Sequence, residues 1–576
     1  MQFKETLVRL FVILFPLASL SQTTFLPQGD KANILLDRLE IKQLVRPVMD
    51  KKIFPVSYTL MNKPYSRKTI TLYANLLDST FSEKTDTHQG DGVLSAVDKY
   101  NLKRLLLNNL EWADNPSAYL SKKPIAKRFY QTPANLYEVH AKDFDLFVNP
   151  VIQYTISKES NNDQHLFLNT RGLTVRGRIA GKIGFAAYIT DNQERDPKYV
   201  QKFITDRKAV PGAGFYKPFK AAGGVDYFDA RGYFTFNAAK YTDITFGYDK
   251  NFIGNGHRSL FLSDFSNNML FLKLNTRIWR INYQNIFAEL YNAHIPGGDK
   301  LVGKKYAALH HLDISINKWL NIGLFEGVIF GRKDRFEFGY LNPVIFYRSI
   351  EQQNGSFDNS IIGLDAKANL AKRVQVYGQL SLDEFLLSEI KKNRGWWANK
   401  FGIQTGAKYI DAFGIKNLDL QIEHNRVRPF TYSHRDSVAN YTHYNQPMAH
   451  PLMANFKEFI GIARYQPAAK WLIVAKLIAY QQGRDSNSVS YGSNIFLPNV
   501  PPYRTMDFGF NTGSGWQTNV FYGSFLVSYE LKENLFLELN AVTRKQETKT
   551  APITSTNSSV ISFGVRWNMH RREFDF

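Results

Sequence analysis

The sequence has no cysteine among its 576 residues. Disulfides, thiolate metal sites and cysteine nucleophiles are therefore excluded. Beyond the first 22 residues it also lacks any uninterrupted apolar run of about 18 residues, so helical membrane spans are not expected.

Recognisable catalytic and metal-binding motifs are absent as well. There is no G-x-S-x-G elbow and no P-loop. The twelve histidines show no metal-ligand spacing, since His310 and His311 are adjacent and the others are scattered. The sequence therefore predicts no catalytic residues, no cofactor and no metal, although spacing alone would not reveal a Ser/His/acid cluster.

Acidic residues are the minority, and the formal charge of +21 favours anionic partners. The basic residues are scattered, and no nucleic-acid motif accompanies them, so nucleic acid is not expected. Lipopolysaccharide phosphates and acidic polysaccharide are the remaining anionic partners.

The N-terminal stretch MQFKETLVRLFVILFPLASLSQ has the features of an export signal. A basic start precedes an apolar run from Leu7 to Leu20, and small residues follow. We predict a signal peptide over residues 1–21. The alternative, a membrane anchor, fits less well because the run is short and Pro16 interrupts it. No cysteine follows, which excludes a lipoprotein.

Residues 22–145 show helical periodicity. Apolar residues recur at helical spacing through 94–112. A second helix is expected after Ser66, which is a suitable N-cap. We predict a helical or mixed N-terminal module that lies in the periplasm and plugs the rest of the protein.

Residues 146–576 instead alternate with a period of two, which is typical of strands with one apolar and one polar face. In VQVYGQLSL, for example, Val374 and Val376 share one face while Gln375 and Tyr377 share the other. About eighteen such segments occur. They lie near 147–157, 166–178, 183–190, 231–238, 242–249, 269–275, 278–289, 307–316, 320–330, 360–369, 372–383, 399–410, 415–425, 456–466, 470–481, 519–530, 534–545 and 558–569.

The connections between these segments alternate in length. Those after even-numbered segments are very short and often carry a lysine, whereas most of those after odd-numbered segments are long. A transmembrane barrel sorts its loops in this way, with tight periplasmic turns and long external loops. Closure also pairs every backbone group, as lipid requires. We predict an all-β transmembrane barrel of about 18 antiparallel strands in the outer membrane. A soluble sandwich or propeller is the alternative, but its apolar faces would be exposed to water.

Two external connections contain candidate binding residues. The Gly-rich FIGNGHRSLFLSD, 252–264, is either a plain tight loop or a ligand-facing loop in which His257 and Arg258 contact an anionic or hydroxyl-rich partner. The segment 335–359 is too apolar for a solvated tip. We expect it to fold into the lumen as a constriction or plug, with Arg348, Glu351 and Gln352 as candidate contacts.

Two further loops combine arginine with aromatic or basic neighbours. NRGWWANK places Arg394 beside Trp396 and Trp397, which would either stack on sugar rings or sit in an outer aromatic girdle. HNRVRPFTYSHRDS carries Arg426 and Arg428, which would meet lipopolysaccharide phosphates or acidic glycans unless the loop is merely solvated.

Several stretches in this order resemble the Wzi-type capsule assembly proteins, and more closely a Bacteroidetes branch often labelled as gliding-motility outer-membrane proteins. They are LLDRLEIK (35–42), KPYSRKTI (63–70), FYQTPANLYEV (129–139), FDLFVNP (144–150), GNGHRSLFLSD (254–264) and FGYLNPVIFYRSIEQQNGSFDNSIIGLD (338–365). The resemblance implies an eighteen-stranded barrel with a helical periplasmic plug, a lectin-like role in holding capsular or surface polysaccharide, and no catalytic residues.

Three functions follow as hypotheses. The first is a barrel that anchors polysaccharide at the cell exterior. The second is a diffusion channel, whose polar lumen would include Arg280, Asp383, Glu423 and Arg566. The third is a component of a surface-motility or secretion complex with envelope protein partners.

Overall fold

A computed structural model describes residues 23–45, 63–82, 94–220, 223–292, 301–333, 335–486 and 489–576. The predicted signal peptide over residues 1–21 lies outside this described part. The α-helices are α1 Ala32–Ile41, α2 Arg67–Ser82, α3 Ala96–Leu107, α4 Lys198–Arg207, α5 Tyr347–Gln353 and α6 Leu387–Lys392. Short 3-10 helices span Leu110–Trp112, Pro116–Tyr119, Phe338–Leu341, Ala412–Gly414 and Ser437–Ala439. No helix within the described ranges has both the length and the apolar character needed to cross a membrane.

Both predicted N-terminal helices are present. Helix α3 begins with a capping box, in which the Ser95 hydroxyl accepts from the Asp98 backbone N–H and the Asp98 carboxylate accepts from that of Ser95. The Ser66 hydroxyl accepts from the Thr69 backbone N–H at the start of α2. Together with α1, these helices bury a small apolar core of their own that includes Leu36, Ile70 and Leu105.

Eighteen antiparallel strands form the remainder of the fold, as the alternation predicts. They are β1 Phe144–Glu159, β2 Leu166–Ile179, β3 Ile183–Arg195, β4 Gly224–Ala239, β5 Thr242–Asp249, β6 Met269–Ile278, β7 Ile281–Tyr291, β8 Lys304–Ser315, β9 Leu320–Phe330, β10 Asn359–Leu370, β11 Val374–Glu384, β12 Lys400–Tyr409, β13 Leu418–Val427, β14 Phe456–Tyr465, β15 Trp471–Arg484, β16 Trp516–Lys532, β17 Leu535–Thr548 and β18 Thr554–Trp567. Four short extra strands span Tyr137–Ala141, Lys217–Phe219, Thr442–His443 and Gln446–Pro447.

The sheet closes on itself because β1 pairs with β18. The register runs from Ile152 opposite Trp567 to Glu159 opposite Val560. Each strand also pairs with its neighbours in sequence, so no barrel strand is left as an edge. Tryptophans 279, 319 and 471 are exposed at or beside the short turns, where a periplasmic aromatic girdle is expected.

The N-terminal helices dock against inward-facing side chains at the end of the barrel that carries the short turns. Arg38 on α1 forms ion pairs with Asp98 (2.8 Å), Asp411 (2.9 Å) and Asp419. Arg104 on α3 pairs with Glu530 and Glu533. These ion pairs therefore join α1 to β13 and the turn before it, and α3 to β16 and the turn after it.

The other end of the lumen is covered by the inward-folded loop 250–268, which we name the ceiling loop. Its residues Ile253, Leu260, Phe261 and Leu262 are almost fully buried, and they belong to the large apolar cluster inside the barrel. Phe261 stacks on Phe325 of β9, with ring centroids 4.6 Å apart. The interior is therefore occupied by packed protein beneath the extracellular loops.

The long connection after β9 does not enter the lumen, contrary to the expectation for 335–359. It folds over the outer wall of the barrel. Along β9 the inward positions include Phe325 and Ile329, whereas Glu326, Val328 and Phe330 point outward and are nevertheless buried. They are covered by residues 336–353, which we name the outer strap.

Polar groups on the wall explain why the outer strap folds outward. The Glu326 carboxylate accepts from the backbone N–H groups of Tyr347 (2.9 Å) and Arg348 (3.0 Å), the first residues of α5. The Tyr283 hydroxyl donates to the Pro343 carbonyl at 2.6 Å. An uncovered carboxylate on a lipid-facing wall would be costly, so the strap supplies it with donors.

Candidate functional site

The candidate residues on the loop after β11 meet a second extracellular loop, the one after β15. Residues 393–399 and 507–511 run beside each other: the Gly509 N–H donates to the Arg394 carbonyl and the Phe510 N–H to the Gly395 carbonyl, both at 2.9 Å. Gly395 has φ +68°, and a Cβ there would lie 2.8 Å from the Phe510 nitrogen. A glycine is therefore required for the two loops to approach this closely.

Arginine and aromatic side chains from the two loops stack on each other. The Arg394 guanidinium lies 4.2 Å from the centroid of the Phe508 ring, and the Arg504 guanidinium lies 4.1 Å from a ring of Trp397. Such pairs are stabilised by the ring quadrupole. Phe508 is 40% exposed and Tyr503 is 44% exposed. We name this surface, formed by Arg394, Trp396, Trp397, Tyr503, Arg504 and Phe508, the aromatic–arginine cap.

The orientation of the cap depends on hydrogen bonds to backbone carbonyls. Arg504 donates from Nε to the Asn499 carbonyl (2.9 Å) and from Nη1 to the Met506 carbonyl (2.7 Å). Arg394 pairs with Glu389 at 2.8 Å. Lys392 and Arg394 together lower the pKa of Glu389, so this carboxylate stays ionised beside the cap. The cap thus presents exposed aromatic rings with Arg394 beside them, whereas Arg504 is largely buried and also pairs with Asp507.

Arg428 supports the cap from below. It donates to the carbonyls of Asn399 (2.7 Å), Trp396 (3.2 Å) and Phe510 (3.0 Å), which come from both loops. Its side chain is largely buried. Arg428 therefore positions the two loops from beneath, and the exposed cap residues lie above it.

Arg426, two residues away, faces the opposite direction. It lies on the outer wall at the extracellular end of β13, directly opposite Lys457 of β14 in the register. Both side chains are exposed. They form a basic pair on the outer wall near the end of β13.

His257 and Arg258 lie inside the barrel, in the ceiling loop. The Glu423 carboxylate accepts from the backbone N–H groups of both residues, at 2.6 and 3.1 Å. Their side chains contact Asp575, which lies 2.8 Å from each. His257 and Arg258 are thus held by the barrel wall through their backbone and by the tail through their side chains. We name residues 568–576, which return into the lumen, the tail.

Arg348 and Glu351 lie on the outer strap. They form an ion pair with each other at 3.0 Å, in which Arg348 is half-exposed and Glu351 is buried. The nine candidate residues are therefore divided among the cap, its support, the outer rim, the lumen and the outer strap.

Sequence reasoning did not identify Tyr503, Arg504 and Phe508. These residues lie in PNVPPYRTMDFGF, 498–510, where aromatic residues and arginine occur close together near three prolines. That composition resembles NRGWWANK and is the signal from which this loop could have been selected.

The closed eighteen-stranded barrel defines the chain as an outer-membrane β-barrel protein. No family model matches the sequence, and no curated protein matches it either. A similar solved structure is the Escherichia coli outer-membrane protein Wzi, described as a carbohydrate-binding β-barrel involved in group 1 capsule assembly. It matches with a TM-score of 0.54 and 11% identity, over 95% of this chain and 100% of that one.

Two solved structures of Pseudomonas aeruginosa proteins also match, less closely. OprD matches with a TM-score of 0.41 and 11% identity, over 74% of this chain and 94% of that one. OccK8 (OprE) matches with a TM-score of 0.40 and 9% identity, over 74% and 97%. At these identities the similarity to Wzi shows the fold alone.

Proposed function

We propose that the protein binds surface polysaccharide at the aromatic–arginine cap and thereby anchors capsular or related glycan at the cell exterior. The observation that supports this proposal is the stacking of Phe508 and Trp397 with guanidinium groups on two locked extracellular loops, where Phe508 and Tyr503 are exposed. Aromatic faces pack against the apolar faces of sugar rings, and the adjacent donors hydrogen-bond to hydroxyl or carboxylate oxygens. We place the protein among the Wzi-type barrels on the strength of the motif order in its sequence.

In this proposal the other parts are non-catalytic. Residues 22–145 act as a periplasmic plug module and residues 146–576 as the membrane barrel. Arg426 contacts lipopolysaccharide from the outer rim, and His257 and Arg258 keep the ceiling loop closed. Arg348 and Glu351 act from the outer strap.

The test is glycan binding by the purified full-length protein. Trp397→Ala removes one ring of the cap, and we expect affinity for the bound glycan to fall by about tenfold, since such stacking contributes about 1–3 kcal/mol where bases stack on aromatic residues. The matched control is Trp279→Ala, which removes an exposed tryptophan at the opposite end of the barrel. Equal losses in both variants, or normal capsule retention in a deletion strain together with no glycan binding, would reject the proposal.

A diffusion channel is the second candidate, and one observation supports it. A cavity of about 710 Å³ lies inside the barrel. Asp383, Glu423 and Arg566 face the interior, as a polar lumen requires, whereas Arg280 lies in the turn after β6. Stable conductance steps in planar bilayers would favour this candidate, and the absence of conductance would favour a plugged barrel.

Co-purification with specific envelope proteins would instead support a motility or secretion role.

A further inference from the structure

The interior cavity, which we name the chamber, lies between the N-terminal helices and the ceiling loop. At one end it reaches Lys470 and Asn534, which belong to short periplasmic turns. At the other it reaches Gly212 and Pro451, beneath the extracellular loops. The tail contributes one side of its lining. The chamber therefore approaches the periplasm along the margin of the helical module.

The lining of the chamber is strongly cationic. Seventeen lysine and arginine residues line it, against eight aspartate and glutamate residues. Unbalanced charges in an enclosed, low-dielectric space are costly unless ions of the opposite sign enter. Carboxylates behind the lining, such as Glu530 and Glu538, offset part of this excess, and the cations that lack such a partner favour the entry of anions.

Most of the cations are paired, but four of those that are buried or half-buried are held only by neutral acceptors. Arg67 donates to the Asn109 side-chain oxygen (2.7 Å) and Lys273 to that of Asn251 (3.1 Å). Lys250 donates to the Asp264 carbonyl (2.8 Å) and Arg464 to the Gln421 side-chain oxygen (3.0 Å). Within the described part of the chain, none of the four forms an ion pair.

Arg67 and Lys273 adjoin the same short segment. The Arg67 backbone N–H donates to the Thr24 carbonyl at 2.9 Å, and the Lys273 ammonium lies 5.1 Å from the centroid of the Phe25 ring. Phe25 is fixed in turn, because its N–H donates to the Tyr233 hydroxyl at 2.8 Å. Two cations without carboxylate partners are thus held near one ordered segment of the chamber wall.

We propose that the chamber is a binding site for an oxyanion, a phosphate or carboxylate group, that enters from the periplasmic end. Arg67 supplies the planar donor fork that matches such a group, and Lys273 supplies a point charge. The oxyanion belongs either to a free inorganic ion or to an acidic sugar. This site is separate from the cap and does not depend on polysaccharide binding there.

The experiment uses the full-length protein in detergent and isothermal titration calorimetry with two probes. Inorganic phosphate tests the free ion, and a glucuronic acid disaccharide tests the acidic sugar, each measured against sodium chloride at equal ionic strength. We expect saturable binding of at least one probe. The double variant Arg67→Gln/Lys273→Gln should weaken it by about tenfold or more, as the loss of charge-assisted hydrogen bonds implies.

Two variants separate charge from folding. Lys273→Arg keeps the charge and should retain binding, whereas Lys202→Gln removes an exposed lysine of α4 and should leave binding unchanged.

Binding of phosphate alone identifies a free anion as ligand, and binding of the disaccharide identifies an acidic sugar. No saturable binding of either probe beyond chloride, or the same affinity in the double variant and the wild type, overturns the proposal. Trp397→Ala should not alter phosphate binding, so failure at the cap and failure in the chamber are distinguishable.

Discussion

Asp575 and Arg258 form an ion pair inside the barrel, with the carboxylate 2.8 Å from the guanidinium. Although 317 positions separate them in sequence, the pair joins the ceiling loop to the tail. Lys476 of β15 contacts the same carboxylate at 2.6 Å. One acidic side chain therefore connects loop, wall and tail.

Asp575→Asn should release the ceiling loop. The substitution leaves Arg258 and Lys476 short of a counter-charge in a buried site, which costs about 3–5 kcal/mol. We expect faster hydrogen exchange over residues 252–264 and the appearance of conductance steps in planar bilayers. The control is Asp206→Asn, which breaks the exposed pair with Lys202 and should cost below about 1 kcal/mol. Unchanged exchange over 252–264 would show that the tail does not hold the loop.

Acid should loosen the N-terminal helices from the barrel. Burial raises the pKa of Asp98, but Arg38 and Lys42 overcome this effect and bring it to about 2. A pKa below the ordinary value of 3.8 contributes stability that is fully present above pH 4. That stability is lost as the pH falls towards 2, and it amounts to about 2 kcal/mol. Asp37 follows the same course, because Lys408 and Lys63 outweigh its burial and bring its pKa to about 2.

Hydrogen exchange of α1 and α3 between pH 5 and pH 2.5 measures this effect. Asp98→Asn should raise exchange at pH 5 and flatten its dependence on pH. A wild-type profile without increased exchange in that window would contradict the role of the Asp98 pairs.

The outer strap should lie in the outer leaflet. Val344 is 86% exposed and Phe338 is 79% exposed, although both lie on a segment that covers the lipid-facing wall. A fluorophore on Val344→Cys should be quenched by doxyl lipids and protected from aqueous iodide. The absence of native cysteine makes the label unique.

Two labelled variants calibrate that measurement. Leu324→Cys lies on the outward face of β9 and marks lipid, whereas Lys202→Cys on α4 marks water. Strong iodide quenching at position 344 without lipid quenching would show that the strap is not embedded.

The outer basic pair should retain lipopolysaccharide. Replacing Arg426 and Lys457 by glutamine removes two charges at the headgroup level, where each contributes about 1 kcal/mol. We expect less lipopolysaccharide to co-purify with the protein. The control double variant is Lys372→Gln/Arg373→Gln, at a short turn on the opposite side of the barrel. Equal co-purification with wild type and the Arg426/Lys457 variant would rule out this contact.

The strands were predictable because the barrel wall imposes an alternation of apolar and polar residues along every strand. A face towards lipid must be apolar and a face towards the lumen can be polar, so each strand carries its own pattern. Helix α3 was predictable for a similar reason, since its stripe and its capping residue Ser95 are both local. Helix α1 was not predicted, and its contacts are largely with distant residues such as Asp419.

Loop placement was not predictable from loop composition. The outer strap and the ceiling loop both mix apolar, aromatic and charged residues, yet one lies outside the wall and the other inside. The strands, not the loops, indicate where the outer strap lies. His310 and Glu326 are polar residues at outward positions that should be apolar, so a protein segment must shield them from lipid. Of the cap residues, those on the first loop were candidates from the sequence and those on the second were not. The second loop lies about 110 positions further along the chain, and only the fold brings the two loops together.

The seam between β1 and β18 joins the two barrel strands that lie farthest apart in the sequence. Until these two strands pair, the sheet has two unpaired borders that other chains could extend. While β1 and β18 are apart, both borders must be kept from pairing with other chains. Closing the ring requires Trp567 to come into register with Ile152.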